Sequence, residues 1–371
     1  MNSKFKETCQ SIFDLADIKI NGKNPWDIQV HDERFYQRVL ATGSLGLGES
    51  YMDGWWDCKK IDTFICKVLK ADLGHRAKGT GIAWSALKAK LMNLQSKKRA
   101  FEVGERHYDV GNELYRNMLD KRMVYTCAYW KNAKNLDDAQ KHKLDLTCRK
   151  IGLKPGMKVL DIGCGWASFA KYAAENYGVE VVGVTVSKEQ VELGNKLCKG
   201  LPVEIRLQDY RNINEKFDRI VSLGMFEHVG PKNYKTYMKI AYKCLKDDGL
   251  FLLHTIGANI PAKVPDRWIQ KHIFPNGFLP SPKLIIDASE GLFVLEDWHN
   301  FRSDYDKTLM AWYKNFKKNW NKIKENYDDR FKRMWEYYLL SCAGGFRSDN
   351  LQLWQIVFSK EGVVGGYKSM R

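Results

Sequence analysis

Short apolar segments alternate with helix-length segments from about Leu144 onward, and this alternation restricts the fold more than any other feature of the chain. Five segments have the composition and length of strands: 157–163, 179–185, 203–209, 217–224 and 249–257. The stretches between them are long enough for helices, and Ser187 is placed to cap one of these. Strands that alternate with helices form a parallel sheet covered on both faces. The sequence therefore predicts an α/β fold.

Two later segments predict a different kind of sheet edge. Residues 292–300 and 351–360 are also strand-like, and the stretch between them, 305–346, is helical in pattern. We expect these two strands to pair as an antiparallel edge of the sheet.

The N-terminal part of the chain lacks this alternation. Residues 1–75 predict short helices and turns around 43–57, and 82–99 predicts a helix that begins apolar and ends basic. A chain of 371 residues is long enough for two cores of unequal size. We therefore expect a small, mainly helical domain at 1–99 and a larger domain at 100–371.

The net charge of +16 and pI near 9.3 predict attraction to polyanions. Nucleic acid, an anionic membrane face and an acidic protein would each attract a protein with this positive charge. The sequence has no zinc-finger spacing, no RRM-like aromatic motif and no basic heptad region, so we expect no nucleic-acid partner.

The nine cysteines form no CxxC pair, and no two histidines stand at i, i+4 on one predicted helix. We therefore expect reduced thiols, no disulfide framework and no metal site. No apolar segment approaches the ~20 residues that span a bilayer, and no signal peptide is recognisable. We expect a cytoplasmic protein.

Polar residues and glycines follow the first three predicted strands and suggest a cofactor site. Gly163 and Gly165 stand between a strand and a helix, where they permit a sharp turn and close approach of a ligand. The third glycine of GxGxxG and a Walker lysine are both missing, which disfavours phosphate binding. Further along, the expected ligand contacts at the next two strand ends are Thr185, Gln190, Asp209 and Tyr210. Together these positions favour S-adenosylmethionine, which carries a ribose but no phosphate.

The motif series DIGCGW, GVTVSKEQ, FDRIVSLGMFEHVG and FLLHTIG resembles that of bacterial cyclopropane fatty acid synthases. SLGLGESYMDGWWD, HYDVGNELY, TCAYW, IFPNG, EDWHNF and the CAGGF stretch extend the resemblance over nearly the whole chain. Mycolic acid cyclopropane synthases share the catalytic part but look unlike this chain over its first ~100 residues, which favours the phospholipid-acting branch. One departure is clear: the family's DIGCGWGG is DIGCGWAS here, with Ala167 and Ser168 in place of glycines.

The resemblance implies a Rossmann-like class I methyltransferase sheet with a helical insertion, two cofactors (S-adenosylmethionine and a bicarbonate ion) and a homodimer. Contacts to S-adenosylmethionine are implied for Tyr125, Thr126, Gly163, Gly165, Thr185, Gln190 and Tyr210. The bicarbonate ion is implied to lie among Cys127, Glu227, His254, the backbone of Ile256 and Tyr305. Cys342 matches a cysteine near the active site that the family does not need for methyl transfer.

The implied reaction adds a methylene group to a cis double bond of a phospholipid acyl chain. Methyl transfer to an alkene leaves a carbocation, which a dry aromatic pocket protects from water. The candidates for that pocket are Tyr125, Tyr129, Trp130, Phe226 and Phe274, although core packing explains each of them equally well. Ring closure then needs a base. Glu227 and His254 are each expected at the C-terminal end of a strand, and the residues leave open whether Glu227 is the base or helps to hold bicarbonate. We expect structural roles for His107, His228 and His299.

Basic and aromatic residues interleave over 312–338, which fits either contact with an anionic membrane or a solvated helix over an aromatic core. The charge favours peripheral binding at the inner face of the cytoplasmic membrane, to anionic phospholipids with unsaturated chains.

Two other functions are alternatives to cyclopropane synthesis. A nucleic-acid methyltransferase would carry an NPPY-type motif after the fourth strand, where this chain has MFEHVG. A non-catalytic lipid-binding protein with this fold would not need Cys127, Glu227 and His254.

Overall fold

The computed structural model describes residues 2–73, 111–259 and 265–371. Its helices are α1 (Asn2–Asp14), α2 (Arg34–Thr42), α3 (Ser44–Met52), α4 (Ile61–Lys70), α5 (Asn112–Met118), α6 (Leu136–Lys150), α7 (Ser168–Tyr177), α8 (Lys188–Leu197), α9 (Tyr234–Cys244), α10 (Arg267–His272), α11 (Pro282–Ser289), α12 (Asp304–Ile323) and α13 (Asp329–Arg347). Its strands are β1 (Gln29–Val30), β2 (Trp56–Asp57), β3 (Lys158–Ile162), β4 (Glu180–Thr185), β5 (Val203–Leu207), β6 (Phe217–Leu223), β7 (Leu245–Gly257), β8 (Val294–Asn300) and β9 (Gln352–Ser359).

A seven-stranded sheet has the order β5-β4-β3-β6-β7-β9-β8. The strands from β3 to β7 are parallel, whereas β9 is antiparallel to both β7 and β8. The predicted parallel sheet and its antiparallel edge are confirmed. The chain proceeds outward from β3 to β5 and then returns to the other side of β3 as β6. That reversal places a crevice at the carboxyl ends of β3 and β6, where ligands bind in folds of this kind.

Hydrophobic residues cover both faces of this sheet. Along β3, Leu160 and Ile162 belong to one buried cluster and Val159 belongs to another. Phe251 and Leu252 on β7 divide in the same way. Successive side chains of a strand point to opposite faces, so a strand buried on both sides is apolar throughout. The predicted cap of α8 is also confirmed, because the Ser187 hydroxyl accepts the backbone N–H of Gln190.

The chain forms two compact units. The sheet unit contains the described residues of 94–261, 276–304 and 352–371. The other, helical unit contains those of 1–93, 262–275 and 305–351, so it gathers three separate stretches of chain. The predicted basic helix at 82–99, the boundary near Arg99 and His107 lie outside the described residues. The division into domains at residue 99 therefore stays a prediction.

Close packing of helices and aromatic rings stabilises the helical unit. Gly344 on α13 lies so near α4 that a Cβ there would stand 2.5 Å from the carbonyl oxygen of Asp62. The Tyr337 ring contacts the rings of Tyr51, Trp56 and Trp268. The region 305–346, predicted as helical, is two helices, α12 and α13, separated by a short 3₁₀ turn.

Helix α12 separates its aromatic and basic residues. Trp312, Phe316 and Trp320 are buried on one side, whereas Lys314, Lys318 and Lys322 are exposed. Both sets repeat at i, i+4, i+8, which is the spacing of one helix face. We call the three lysines the lysine face. Within residues 2–73, 111–259 and 265–371, no helix is long and apolar enough to cross a membrane.

Candidate active site

The turn between β3 and α7 places backbone rather than side chains at the crevice. Gly163 has φ +81° and Gly165 has φ +56°, a region that L-residues rarely adopt. The N–H of Gly163 donates to the carbonyl of Val184 on β4 at 2.9 Å. A Cβ at Gly163 would lie 2.6 Å from the side chain of Met225, so a larger residue does not fit. The turn therefore requires glycine for both its conformation and its space.

The two positions where this chain departs from the family pattern have distinct structural effects. Ala167 adopts the left-handed conformation, with φ +64°, which costs an L-residue about 1–2 kcal/mol relative to a right-handed one. The Ser168 hydroxyl donates to the carbonyl oxygen of Arg122 at 2.7 Å. Ser168 therefore connects the start of α7 to the loop that precedes Tyr125, a contact that glycine cannot make.

The loop 120–126, which we call the collar, is held by buried polar groups. Asp120 accepts the backbone N–H of Val124 at 2.8 Å, and burial raises the pKa of this carboxyl to about 6. From α6, the Gln140 amide donates to the carbonyl of Thr126 at 2.9 Å, and Lys143 Nζ donates to the Thr126 hydroxyl at 2.6 Å. These contacts fix the backbone beside Tyr125 and Thr126.

A cavity lies between the collar and the glycine turn, and five predicted cofactor residues line it. They are Tyr125, Thr126, Gly163, Gly165 and Gln190. The side-chain amide nitrogen of Gln190 is buried and finds no hydrogen-bond partner within 2–73, 111–259 and 265–371, while its oxygen accepts the Thr185 hydroxyl at 2.6 Å. Thr185 thus orients Gln190 so that a donor remains for a ligand.

Three predicted cofactor residues do not line this cavity. Thr185 acts through Gln190, as described. The Asp209 carboxylate is paired with the guanidinium of Arg211, at 2.5 Å. The ring of Tyr210 packs against Tyr237 within the sheet core. The roles of Asp209 and Tyr210 toward a cofactor stay predictions.

Two ionisable residues of the cavity were missed by the sequence analysis. Asp161 is 1% exposed near the end of β3, and no described residue forms a hydrogen bond with one of its carboxyl oxygens. Burial raises its pKa to about 7, and burial also lowers the pKa of the Lys143 amine to about 8. The sequence did offer a signal for Asp161, because an acidic residue inside an otherwise apolar strand is costly to bury and often has a function. Lys143 gave no such signal, since a lysine on a helix is ordinarily solvated.

The loop after β6 and the end of β7 are joined by Glu227. Its Oε1 accepts the backbone N–H of Ile256 at 2.6 Å, whereas Oε2 is buried and has no hydrogen-bond partner in the part of the chain that the structure describes. Burial raises the pKa of Glu227 to about 7. The N–H of Ile256 is therefore engaged by Glu227, and the atom that Glu227 offers to a ligand is Oε2.

His254 was expected at a strand end, but β7 continues for three residues beyond it to Gly257. It stands opposite Leu223, the last residue of β6, so it still lies at the carboxyl edge of the parallel strands. The imidazole is fully buried, with Nδ1 3.3 Å from the amide nitrogen of Gln355 and Nε2 without a partner. Burial holds its pKa well below the ordinary value, and the nearby Lys143 and Lys150 add to this effect.

The remaining predicted catalytic residues are distributed between the two units. Cys127 is buried in the sheet unit, where its thiol donates to the carbonyl of Ala128 at 3.2 Å. Tyr305 and Cys342 belong to the helical unit. There Tyr305 packs on Phe346 with ring centroids 4.5 Å apart, and burial raises the pKa of the Cys342 thiol to about 12.

The aromatic candidates also have different surroundings. Tyr125 lines the cavity, whereas Phe226 is fully buried in the sheet core and stacks on Tyr234. Tyr129 packs against His299 and Phe301. The other two aromatic candidates are Trp130 and Phe274. The backbone N–H of Trp130 donates to Asp304 at 3.0 Å, and the ring of Phe274 packs on Tyr338 within the helical unit.

Comparison with known proteins identifies the family. The family model described as "Mycolic acid cyclopropane synthetase" matches residues 95–356. A curated relative, the cyclopropane-fatty-acyl-phospholipid synthase of Escherichia coli K12, is 56% identical over 360 residues, which is 96% of this chain and 93% of that protein. The chain belongs to the cyclopropane synthase family. It is thus an S-adenosylmethionine-dependent methyltransferase.

Solved structures of cyclopropane synthases have the same fold in the catalytic part. The cyclopropane synthase MmaA2 from Mycobacterium tuberculosis is 31% identical, with a TM-score of 0.66, and covers 70% of this chain and 98% of its own. The mycolic acid cyclopropane synthase CmaA1, complexed with SAH and CTAB, is 32% identical with the same TM-score and the same coverage. The E. coli cyclopropane synthase differs from these in matching the N-terminal part as well.

Proposed function

We propose that this cyclopropane synthase adds a methylene group from S-adenosylmethionine to the cis double bond of unsaturated acyl chains in membrane phospholipids. One structural observation carries the proposal. Leu223 and Gly224 line the cofactor cavity, and the backbone N–H of Gly224 donates to the carbonyl of His254 at 2.8 Å. The cavity wall and the buried Glu227–His254 region are therefore joined directly. The identity of the E. coli relative along almost the whole chain supports phospholipid as the substrate class.

The residues of the cavity suit S-adenosylmethionine, which supplies an electrophilic methyl group on a sulfonium. Gly165 leaves room for a ligand against the backbone, since no described atom lies within 4 Å of where its Cβ would stand, and Gly163 forms the tight turn beside it. Gln190 offers an unpartnered donor to a hydroxyl, and Asp161 offers an unpartnered acceptor to an ammonium. A buried donor or acceptor without a partner is costly, so ligand binding compensates both.

The site also meets the need to keep water from a carbocation. Glu227 is 7% exposed and His254 is 0% exposed, and the Phe301 ring lies edge-on to the imidazole at 5.8 Å between centroids. Since these walls admit little water, a cation formed on the acyl chain persists until it loses a proton. Removal of that proton closes the ring.

We propose bicarbonate as the proton acceptor. The unpartnered Oε2 of Glu227 can accept the hydroxyl of the ion, and the unpartnered Nε2 of His254 can donate to one of its oxygens. Burial raises the pKa of Glu227 to about 7, so this carboxyl group could itself accept the proton, and the response to bicarbonate separates the two models. In carbon-dioxide-free buffer, activity should fall and recover on addition of bicarbonate. Full turnover in that buffer, with no ion carried through purification, would assign the base to Glu227.

The lysine face of α12 supports a peripheral location on an anionic leaflet. The side chains of Lys314, Lys318 and Lys322 are exposed along one face, and each cation near such a surface contributes about 1 kcal/mol. We propose that the protein works as a homodimer in the cytoplasm and binds the inner face of the cytoplasmic membrane reversibly. Release of S-adenosylhomocysteine on vesicles of unsaturated phospholipid tests the catalytic function, and binding without release would favour a lipid-binding protein.

A further inference from the structure

Gln355 occupies the position between two histidines of the sheet, the buried His254 and the half-buried His299. On β9 it stands opposite His254 of β7 on one side and opposite His299 of β8 on the other. Directly opposite residues of antiparallel strands point to the same face, so their side chains are neighbours. Gln355, His254 and Thr147 of α6 are all 0% exposed. Their hydrogen bonds are therefore made within the protein and not exchanged with water.

The orientation of the Gln355 amide follows from Thr147. The Thr147 hydroxyl donates its only hydrogen to the carbonyl of Lys143 at 2.8 Å, so its oxygen can only accept from Gln355. The Gln355 amide nitrogen lies 3.2 Å from that oxygen. A flipped amide would place two oxygen acceptors against each other. Thr147 therefore selects the orientation in which the NH₂ group faces α6.

The same NH₂ group has a second hydrogen, and its nitrogen lies 3.3 Å from Nδ1 of His254. We infer that Gln355, oriented by Thr147, is a positioning residue that fixes His254 in the neutral tautomer with its proton on Nε2. Nδ1 must accept the amide hydrogen and so carries no proton. Nε2 is then a donor, and it is the ring nitrogen of His254 that has no hydrogen-bond partner among the described residues.

The chemical consequence of this tautomer rests on the proposed function. If the ion is held by both Glu227 and His254, as proposed above, a neutral imidazole with Nε2–H supplies the donor to one of its oxygens, while Glu227 accepts its hydroxyl. The opposite tautomer would present a lone pair to the same ion and repel it. Because the buried imidazole also stays uncharged, it does not compete for the proton that leaves the substrate.

The tautomer can be measured without cofactor, lipid or bicarbonate. In protein with ¹⁵N-labelled histidine, the chain gives eight ring systems, and the His254 signals are those lost in His254→Asn. We expect wild-type His254 to carry its proton on Nε2, with Nδ1 in the range of a hydrogen-bond acceptor. In Gln355→Glu at alkaline pH, a carboxylate can only accept, so we expect a proton on Nδ1. The turnover number should then fall by about ten- to a hundredfold with the KM for S-adenosylmethionine unchanged.

A second pair of variants keeps the test decisive if Gln355→Glu does not fold. Thr147→Val has nearly the same shape but removes the acceptor that orients the amide, so both tautomers of His254 should appear. Thr147→Ser retains the hydroxyl and should restore the single Nε2–H tautomer. A wild-type His254 protonated on Nδ1, or one tautomer throughout the series, would overturn the inference even in a fully active enzyme. A protein with the expected tautomers that makes no cyclopropane would instead contradict the proposed function.

Discussion

Oε1 of Glu227 accepts the backbone N–H of Ile256 at 2.6 Å, which ties the loop after β6 to the end of β7. The second oxygen of the carboxyl group is buried and unpartnered, and burial raises the pKa from 4.5 to about 7. This carboxyl group therefore links the stability of the sheet edge to pH as well as holding the site's main acceptor.

Glu227→Gln should remove a pH-dependent part of the stability. The folded protein holds the Glu227 proton more tightly than the unfolded chain, so the stability it contributes is present below about pH 4.5 and lost as pH rises through about 7. Relative to Glu227→Gln, the wild-type free energy of unfolding should fall by up to about 3 kcal/mol across that range. Urea unfolding of both proteins from about pH 5 to about pH 8 measures this. If the free energies of unfolding of the two proteins changed in parallel with pH, the Glu227 carboxyl group would not be buried as described.

Gly163→Ala should weaken binding of S-adenosylmethionine strongly. The new Cβ would stand 2.6 Å from Met225, so the glycine turn must move. Gly200→Ala is a matched control, because Gly200 has φ +85° but open space where its Cβ would lie. Calorimetry should show a loss of affinity of at least about tenfold for Gly163→Ala alone. Equal affinities in the two folded variants would place the cofactor elsewhere.

Ser168→Ala should loosen the collar. The variant loses the 2.7 Å hydrogen bond to the carbonyl of Arg122, and a bond of this kind contributes about 1 kcal/mol. Amide exchange at Val124 to Thr126 should therefore become about fivefold faster, and the KM for S-adenosylmethionine should rise by a similar factor. Ser289→Ala removes another buried hydroxyl that donates to a backbone carbonyl, on α11, and should change neither quantity. If both variants behave alike, Ser168 has only a general structural role.

Removal of the lysine face should weaken binding to anionic vesicles. At ~1 kcal/mol for each cation, the triple variant Lys314→Ala, Lys318→Ala, Lys322→Ala should lose up to about a hundredfold in affinity at low salt. A variant with alanine at Lys188, Lys196 and Lys199 removes the same charge from exposed positions elsewhere and should lose much less. Co-sedimentation over a range of salt measures both effects, since surface charges are screened over ~10 Å at 0.1 M. Equal losses would mean that only total charge matters.

The sequence predicted the parallel strands and the antiparallel edge because hydrophobic periodicity is a local signal. Of the five predicted residues that line the cavity, Gly163, Gly165 and Gln190 follow from signals at strand ends, whereas Tyr125 and Thr126 were implied by the family resemblance.

The sequence did not predict the polar face of α6. Gln140, Lys143, Thr147 and Lys150 recur at helical spacing, a pattern that usually indicates a solvated face. In the structure this face is buried within the sheet unit, where the first three residues hold the collar and Gln355.

Lys150 and Gln355 show why such contacts escape a sequence analysis. Lys150 Nζ lies 3.0 Å from Nδ1 of His299, which is 149 positions away along the chain. Gln355 reaches His254 across 101 positions. Both contacts depend on the insertion of β9 between β7 and β8, and strand order is a property of the whole sheet. The predicted structural role of His299 fits this contact, although no pattern in the sequence pointed to its partner.

The central claim is that the chain transfers a methylene group and not an intact methyl group. Relatives include proteins named as fatty acid and sphingolipid methyltransferases, so the two outcomes need to be separated. The purified protein should be incubated with S-adenosylmethionine that carries a trideuterated methyl group and with vesicles of monounsaturated phospholipid. The account predicts an acyl product with a cyclopropane ring that retains two of the three deuterium atoms by mass spectrometry, because the base removes the third. A product with all three deuterium atoms in a methyl branch would contradict it.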